Sequence, residues 1–224
     1  MRTEKVTDKI TLYNCDCMNF MKDIPDNYYE LAIVDPPYFK GVTNGSYFGG
    51  KISKTGIKRL CSKSDNWDDN IPNIDYYNEL KRVSKNQIIW GINYFNFGYT
   101  GGCIIWDKQN DTSTFSNCEI ASNSIVNGVF IYRELWNGML KSENCKRIHP
   151  TQKPVKLYEW LLKNYAKPTD KILDTHFGSC SIGIACHNFG CSLDACELDE
   201  EYFNKALERL KMHTRQLDLF KDNY

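Results

Sequence analysis

Three absences narrow the reading of this 224-residue chain. It has no run of eighteen apolar residues, so no membrane-spanning helix is expected. The opening MRTEKVTDKI carries charges where a secretory leader needs an apolar core, and the expected location is the cytoplasm. It has no C-x-x-C pair: of ten cysteines the tightest spacing is Cys15-x-Cys17, which argues against a zinc site. Cys180, Cys186, Cys191 and Cys196 fall in one apolar-rich region and are expected to be reduced, buried thiols, so no metal is expected. It has no net charge, 28 basic residues balancing 28 acidic ones, so the whole chain does not advertise a polyanion partner. Internal repeats and low-complexity segments are absent too. The length suits one domain with a substantial core, and 42% hydrophobic with 25% charged residues is an ordinary globular balance.

What is present is uneven. Residues 40–64 hold Lys40, Lys51, Lys54, Lys58, Arg59 and Lys63 with no acid, and residues 141–156 hold five basic residues against Glu143. Such surplus can track phosphates, and solvated loops share the composition. KITLYN (9–14) and LAIVD (31–35) read as strands with a helical CMNFMKDI between them. Residues 75–84 read as a helix, and 87–91, 102–107 and 127–135 as strands. Pro154 opens a helix with Leu157, Trp160, Leu161 and Tyr165 on its apolar face. KILD (171–174) is a strand, SIGIACHNF a helix stopped by Gly190, CSLDACE a strand, and Asp199 caps a last helix. Strands alternating with helices predict an α/β fold, a mostly parallel twisted sheet with helices on both faces.

Ligands of open α/β sheets bind where loops leave the carboxyl ends of strands. Two unusual loops sit at such ends: DPPY (35–38) and DTHFGSCSIG (174–183). In the second, glycine permits close ligand approach and the helix start offers free N–H groups. About twenty residues on, Glu197 ends the next strand, where a carboxylate can accept ribose hydroxyls. That combination suits a nucleoside cofactor; NAD stays open, although the G-x-G-x-x-G spacing is missing.

DPPY, HPTQKP (149–154), DTHFGSCSIG and CELDEEYF together resemble the DNA amino-methyltransferases that use S-adenosylmethionine, in the permuted order often called the beta class. The resemblance covers about residues 8–212. It implies a Rossmann-like methyltransferase fold, with a catalytic half at 1–148, a cofactor half at 149–214 and a tail at 215–224. It places the cofactor loop on Asp174, Phe177, Gly178, Ser179 and Gly183, the ribose acid on Glu197, an adenine-facing acid on Asp16, and a partner for the cofactor carboxylate on Lys153. Asp35 also lies against the cofactor in that scheme. Cys180 stands where relatives carry glycine, so its side chain is expected to crowd the cofactor.

The chemistry explains DPPY. An adenine amine is a poor nucleophile because its lone pair is delocalised into the ring. A carboxylate on one N–H and a carbonyl on the other draw that lone pair out of plane. Asp35 supplies the first and Pro36 the second, with Pro36 and Pro37 restricting the carbonyl's direction. A duplex base reaches such a site only when flipped out, and Tyr38 offers a stacking face. Aspartate in the first position favours adenine N6, since relatives acting on cytosine N4 more often carry serine there. Alternatives are cytosine N4 or RNA methylation, or a catalytically weak DNA-binding or clamp-binding module.

The expected partner is DNA, in the setting of DNA methylation and restriction–modification. The gap at 133–148 is too short to read many bases, so residues 39–66, with Arg147, are expected to contact DNA, in a monomer or dimer. At the C-terminus, Gln216, Leu217, Asp218, Leu219 and Phe220 spell QLDLF, which resembles the peptide that docks bacterial replication proteins on the sliding clamp. It is expected to follow the last helix as a tail, either flexible and free to dock or packed through Leu217, Leu219 and Phe220 on its own domain.

Overall fold

The computed structural model describes residues 1–37, 72–99, 101–111, 116–136, 147–149 and 151–221, with side chains up to 216. Among the described residues nine strands join in one sheet: β1 (Arg2–Lys5), β2 (Ile10–Asn14), β3 (Leu31–Val34), β4 (Gln87–Trp90), β5 (Gly102–Asp107), β6 (Cys118–Asn123), β7 (Val129–Arg133), β8 (Lys171–Asp174) and β9 (Ser192–Glu197). Five helices flank it: α1 (Cys17–Lys22), α2 (Ile74–Val83), α3 (Val155–Tyr165), α4 (Ser181–Phe189) and α5 (Glu200–Lys221). The spatial order is β1-β2-β9-β8-β3-β4-β6-β5-β7. Pairing is parallel from β2 through β9, β8 and β3 to β4, and between β5 and β7; β1 and β6 run antiparallel to their neighbours.

Central strands are buried on both faces, which is why they read as continuous apolar runs. Successive side chains alternate between two cores. Leu31, Ile33, Ile88 and Trp90 join Leu157 and Leu161 of α3, Ile182 of α4 and Phe203 and Leu210 of α5. Ala32, Val34 and Ile89 join Phe20 and Met21 of α1 and Tyr76 and Leu80 of α2. Each fully buried aliphatic side chain contributes about 1.5–3 kcal/mol of transfer free energy.

Two strands were not expected from the sequence. β1 is RTEK, a charged edge strand. β6 is CEIASN, whose polar composition lacks the apolar run of a strand. It forms because β4 and β5 satisfy its backbone on both sides. The last helix also runs further than expected. With no glycine or proline to stop it, α5 continues to Lys221, so Gln216–Phe220 extend its backbone instead of following it as a tail.

Candidate active site

One edge of the sheet collects the chemistry. β2, β9, β8, β3 and β4 are mutually parallel, so their carboxyl ends open at the same rim. Along it stand Asp16 after β2, Glu197 ending β9, Asp174 ending β8 and Asp35 after β3. Because β6 runs the other way, its beginning reaches the same rim, and Glu119 stands there opposite Trp106 of β5. Asp16, Asp35, Pro37, Lys153, Phe177, Gly178, Ser179 and Glu197 all border one cavity of about 600 Å³, a size that takes a nucleoside cofactor.

Asp35 is held from one side. Its Oδ2 accepts a hydrogen bond from Lys153 Nζ at 2.5 Å. Its Oδ1 is buried and has no hydrogen-bond partner among the described residues. Burial raises the Asp35 carboxyl above the usual carboxylate range, and the Lys153 charge opposes that rise. Lys153, only 2% exposed in its side chain, also pairs with Glu119 Oε2 at 2.9 Å. Burial alone would push Glu119 up; Lys153 and Lys108 outweigh it and hold its carboxyl down to about 2.

The cofactor side is built from backbone. Gly178 adopts φ 48°, and a side chain there would meet the His149 ring. Gly178 N–H donates to Glu197 Oε2 and Asp199 N–H to Oε1, each at 3.0 Å. Burial drives the Glu197 carboxyl up to about 7 despite these amides. Asp174 Oδ1 accepts the His176 N–H at 3.0 Å, and burial lifts its carboxyl to about 8. Arg209 of α5 donates Nη1 to the Ser179 carbonyl at 2.7 Å and to Ser181 Oγ at 3.0 Å, and that hydroxyl donates to the Lys153 carbonyl at 2.7 Å. His149 shapes the HPTQKP turn: Thr151 N–H donates to its Nδ1 at 3.3 Å, and its ring lies 4.4 Å from that of Tyr202.

The expectation for Cys180 needs correction. It adopts the left-handed φ of 56° that glycine would take, yet it is fully buried and does not border the cavity. Its sulfur turns under α4 into the space a β-carbon on Gly183 would need. Gly183 therefore serves the packing of Cys180, and the cofactor is not crowded. Lys153 borders the cavity as expected, but its ammonium is engaged by Asp35 and Glu119. Asp16 caps α1, accepting the Asn19 N–H at 2.9 Å, and borders the cavity as well. Arg147 donates Nε to the His149 carbonyl at 3.2 Å. Tyr38, Lys40, Lys51, Lys54, Lys58, Arg59 and Lys63 lie outside the described residues. Glu119 and Lys108 were missed; the signal was an acid inside a segment that reads as loop until its neighbours pair with it.

Among the described residues, a nine-stranded mixed sheet with an acid-Pro-Pro turn and a glycine loop at one rim has the Rossmann-like fold found in S-adenosylmethionine-dependent methyltransferases. A family model described as DNA methylase, of the N6/N4 type, matches residues 106–208. The chain is 25% identical to the Type II methyltransferase M.HinfI of Haemophilus influenzae over 94% of its own length and 71% of that relative. It is 23% identical to M2.DpnII of Streptococcus pneumoniae, covering 91% and 90% of the two chains. Among solved structures, the M1.HpyAVI–SAM complex matches with a TM-score of 0.57 at 21% identity, over 89% of this chain and 99% of that one. The cytosine-N4-specific PvuII DNA methyltransferase matches with 0.57 at 12% identity, over 96% and 92%. Over residues 106–208, and more weakly along most of its length, the chain is similar to the DNA N6/N4 amino-methyltransferases.

Proposed function

We propose that this protein methylates DNA from S-adenosylmethionine, and that its target is the N6 amine of adenine. The observation that carries the reading is the Asp35 carboxylate at the cavity. One oxygen is tied to Lys153, and the other is buried without a partner among the described residues. A buried acceptor left open is costly unless a donor arrives, and an exocyclic amine brings one.

The residues fit the cofactor. The cavity has the volume, Gly178 leaves room beside His149, and Cys180 points away. Asp16 and Glu197 would hold the adenosine end, and the Phe177–Ser179 loop the remainder. When bound, S-adenosylmethionine supplies an electrophilic methyl group. The chain's own part is alignment: Asp35 Oδ1 accepts one N–H of the amine, the Pro36 carbonyl accepts the other, and the lone pair is drawn out of the ring plane. Well-oriented reactants gain on the order of 7–11 kcal/mol. Asp35 then holds the proton that the amine gives up. The basic residues at 40–63, Arg147 and the ring of Tyr38 are assigned to the phosphates and to the flipped base.

Cytosine N4 is the second reading, favoured by the likeness to the PvuII enzyme. Aspartate rather than serine at position 35 supports adenine. Incubation with labelled S-adenosylmethionine and mixed DNA and RNA, followed by digestion, separates the two. Label is expected in N6-methyldeoxyadenosine. Label in N4-methyldeoxycytidine would reverse the base assignment, and label only in ribonucleosides would overturn the DNA assignment.

A further inference from the structure

Four side chains from four segments form one line of alternating charge at the rim. Lys108 Nζ lies 2.6 Å from Glu119 Oε1, Glu119 Oε2 lies 2.9 Å from Lys153 Nζ, and Lys153 Nζ lies 2.5 Å from Asp35 Oδ2. Asp35 follows β3, Glu119 is in β6, Lys108 follows β5 and Lys153 precedes α3. The strand between, β4, puts Trp90 beneath: the Lys153 ammonium sits 5.4 Å from its ring centre, and Lys108 sits 5.1 Å from the ring of Trp106. The aromatic floor gives neither lysine a carboxylate, so both cations turn to the acids above.

The arrangement treats the two acids differently. Glu119 has a cation on each oxygen. Among the described residues, Asp35 has one cation on one oxygen. A lysine offering its charge to Asp35 alone would make that carboxylate a weak acceptor, because the charged form would be fully stabilised. A lysine shared with Glu119 gives only part of its charge to Asp35. Sharing also restrains the flexible ammonium from two sides, and so restrains the direction in which Oδ1 points.

We propose that Glu119 is a positioning residue for methyl transfer: gripping Lys153 opposite Asp35, it aims the free Asp35 oxygen at the target amine and keeps that oxygen a competent proton acceptor. The inference rests on the reading of Asp35 as the acceptor of the amine N–H. Among the described residues, the ionisable groups that act on Asp35 are Lys153, Glu119 and Lys108, together with Asp174 at the end of β8 and Tyr158 on α3. Of these, Glu119 is the acid whose charge most strongly raises the Asp35 carboxyl.

The test is Glu119→Gln, assayed for cofactor binding and for kcat against pH on a DNA duplex. Removal of the Glu119 charge leaves Lys153 to Asp35 alone. Asp35 should ionise at lower pH, so the acid limb of the kcat profile moves down. The plateau should fall about tenfold, with the cofactor Kd within about twofold of wild type. Glu119→Asp keeps the charge and should restore most of the plateau and the limb. Should Glu119→Gln not fold, Lys108→Gln/Glu119→Gln removes one charge of each sign, and the limb should still move down, by less. A wild-type plateau and limb in a folded variant overturns the proposal, as does a lower plateau with an unmoved limb, which would mean a purely structural role. Asp35→Asn separates the two layers: full activity in that variant removes the reading of Asp35, whereas an inactive Asp35→Asn beside a wild-type Glu119→Gln removes only the role of Glu119.

Discussion

The two sides of the cavity hold their carboxylates by different means. Asp35 is held by a cation, Lys153, itself anchored on Glu119. Glu197 and Asp174 are held by backbone amides: two N–H groups on Glu197 and one on Asp174. Burial raises all three carboxyls. An ammonium opposes the effect of burial at one oxygen of Asp35 and leaves the other without a partner among the described residues. An amide fixes position where a loop must not move, and does less for charge. The first arrangement suits a group that takes a proton; the second suits Glu197, which borders the cavity, and fixes Asp174, which is buried behind it.

The sharpest way to break this contrast is to remove Asp35. Asp35→Ala should lower methyl transfer by about 10²–10⁴-fold, the usual worth of a positioned acid or base. Cofactor affinity should stay within about threefold, since the amide-held side is untouched. Equal loss of binding, measured by titration calorimetry, would show that the two sides are one unit. Retained transfer would dismiss Asp35 from the chemistry.

Glu197→Gln should do the reverse. Losing one charged acceptor weakens binding by about 1.5–3 kcal/mol, or roughly ten- to a hundredfold in cofactor Kd. Its pH signature follows from linkage. The folded carboxyl sits at about 7 against 4.5 unfolded, so between those values the folded state binds more protons. Its contribution to stability therefore falls as pH rises through that window. The amide of the variant does not titrate, so the difference in Tm, variant minus wild type, should climb between about pH 5 and pH 8 in the cofactor-free protein. A difference that is flat with pH would mean that Glu197 is better solvated than its amide cage suggests.

Most of this layout was legible before the fold was known, because the central strands announce themselves. Leu31–Val34 is an apolar run and Ile172–Leu173 an apolar pair inside β8, and the acids that follow them, Asp35 and Asp174, mark where the chain turns to the rim. What escaped was the charge line. Glu119 lies in CEIASN, a strand made by its neighbours' pairing, and Lys108 lies beside it only in space. Cys180 escaped for another reason: its direction depends on a left-handed backbone and on the empty space over Gly183, neither of which a sequence displays. The basic segment beyond Pro37 was equally visible in composition, and its residues lie outside those described.

Cys180 offers a smaller test, confined to the amide-held side. Gly183→Ala puts a methyl where the Cys180 sulfur lies, and overpacking of that kind costs about 1–3 kcal/mol. Adding Cys180→Gly removes the sulfur and relieves a left-handed non-glycine residue, which is worth about 1 kcal/mol. The double variant should therefore be more stable than Gly183→Ala in urea unfolding, a coupling expected only if the two residues share one space. Additive effects would dissolve that link. Transfer by the folded double variant should stay near wild type, because neither atom borders the cavity.

The least effect on either carboxylate is expected from the end of α5. We propose that Gln216–Phe220 bind a bacterial sliding clamp, on the strength of QLDLF alone. The backbone there continues the helix, so docking as an extended peptide requires the last turns to open, and helix ends fray most readily. Arg209, further back on the same helix, holds the Ser179 carbonyl, so opening must stop short of it for the cofactor loop to stay in place. Leu219→Ala/Phe220→Ala should therefore lower capture by immobilised clamp at least about tenfold, the loss of two apolar anchors, while kcat on a short duplex is unchanged. Undiminished capture would end the proposal. A fall in kcat on the short duplex would show instead that the end of α5 supports the cofactor loop.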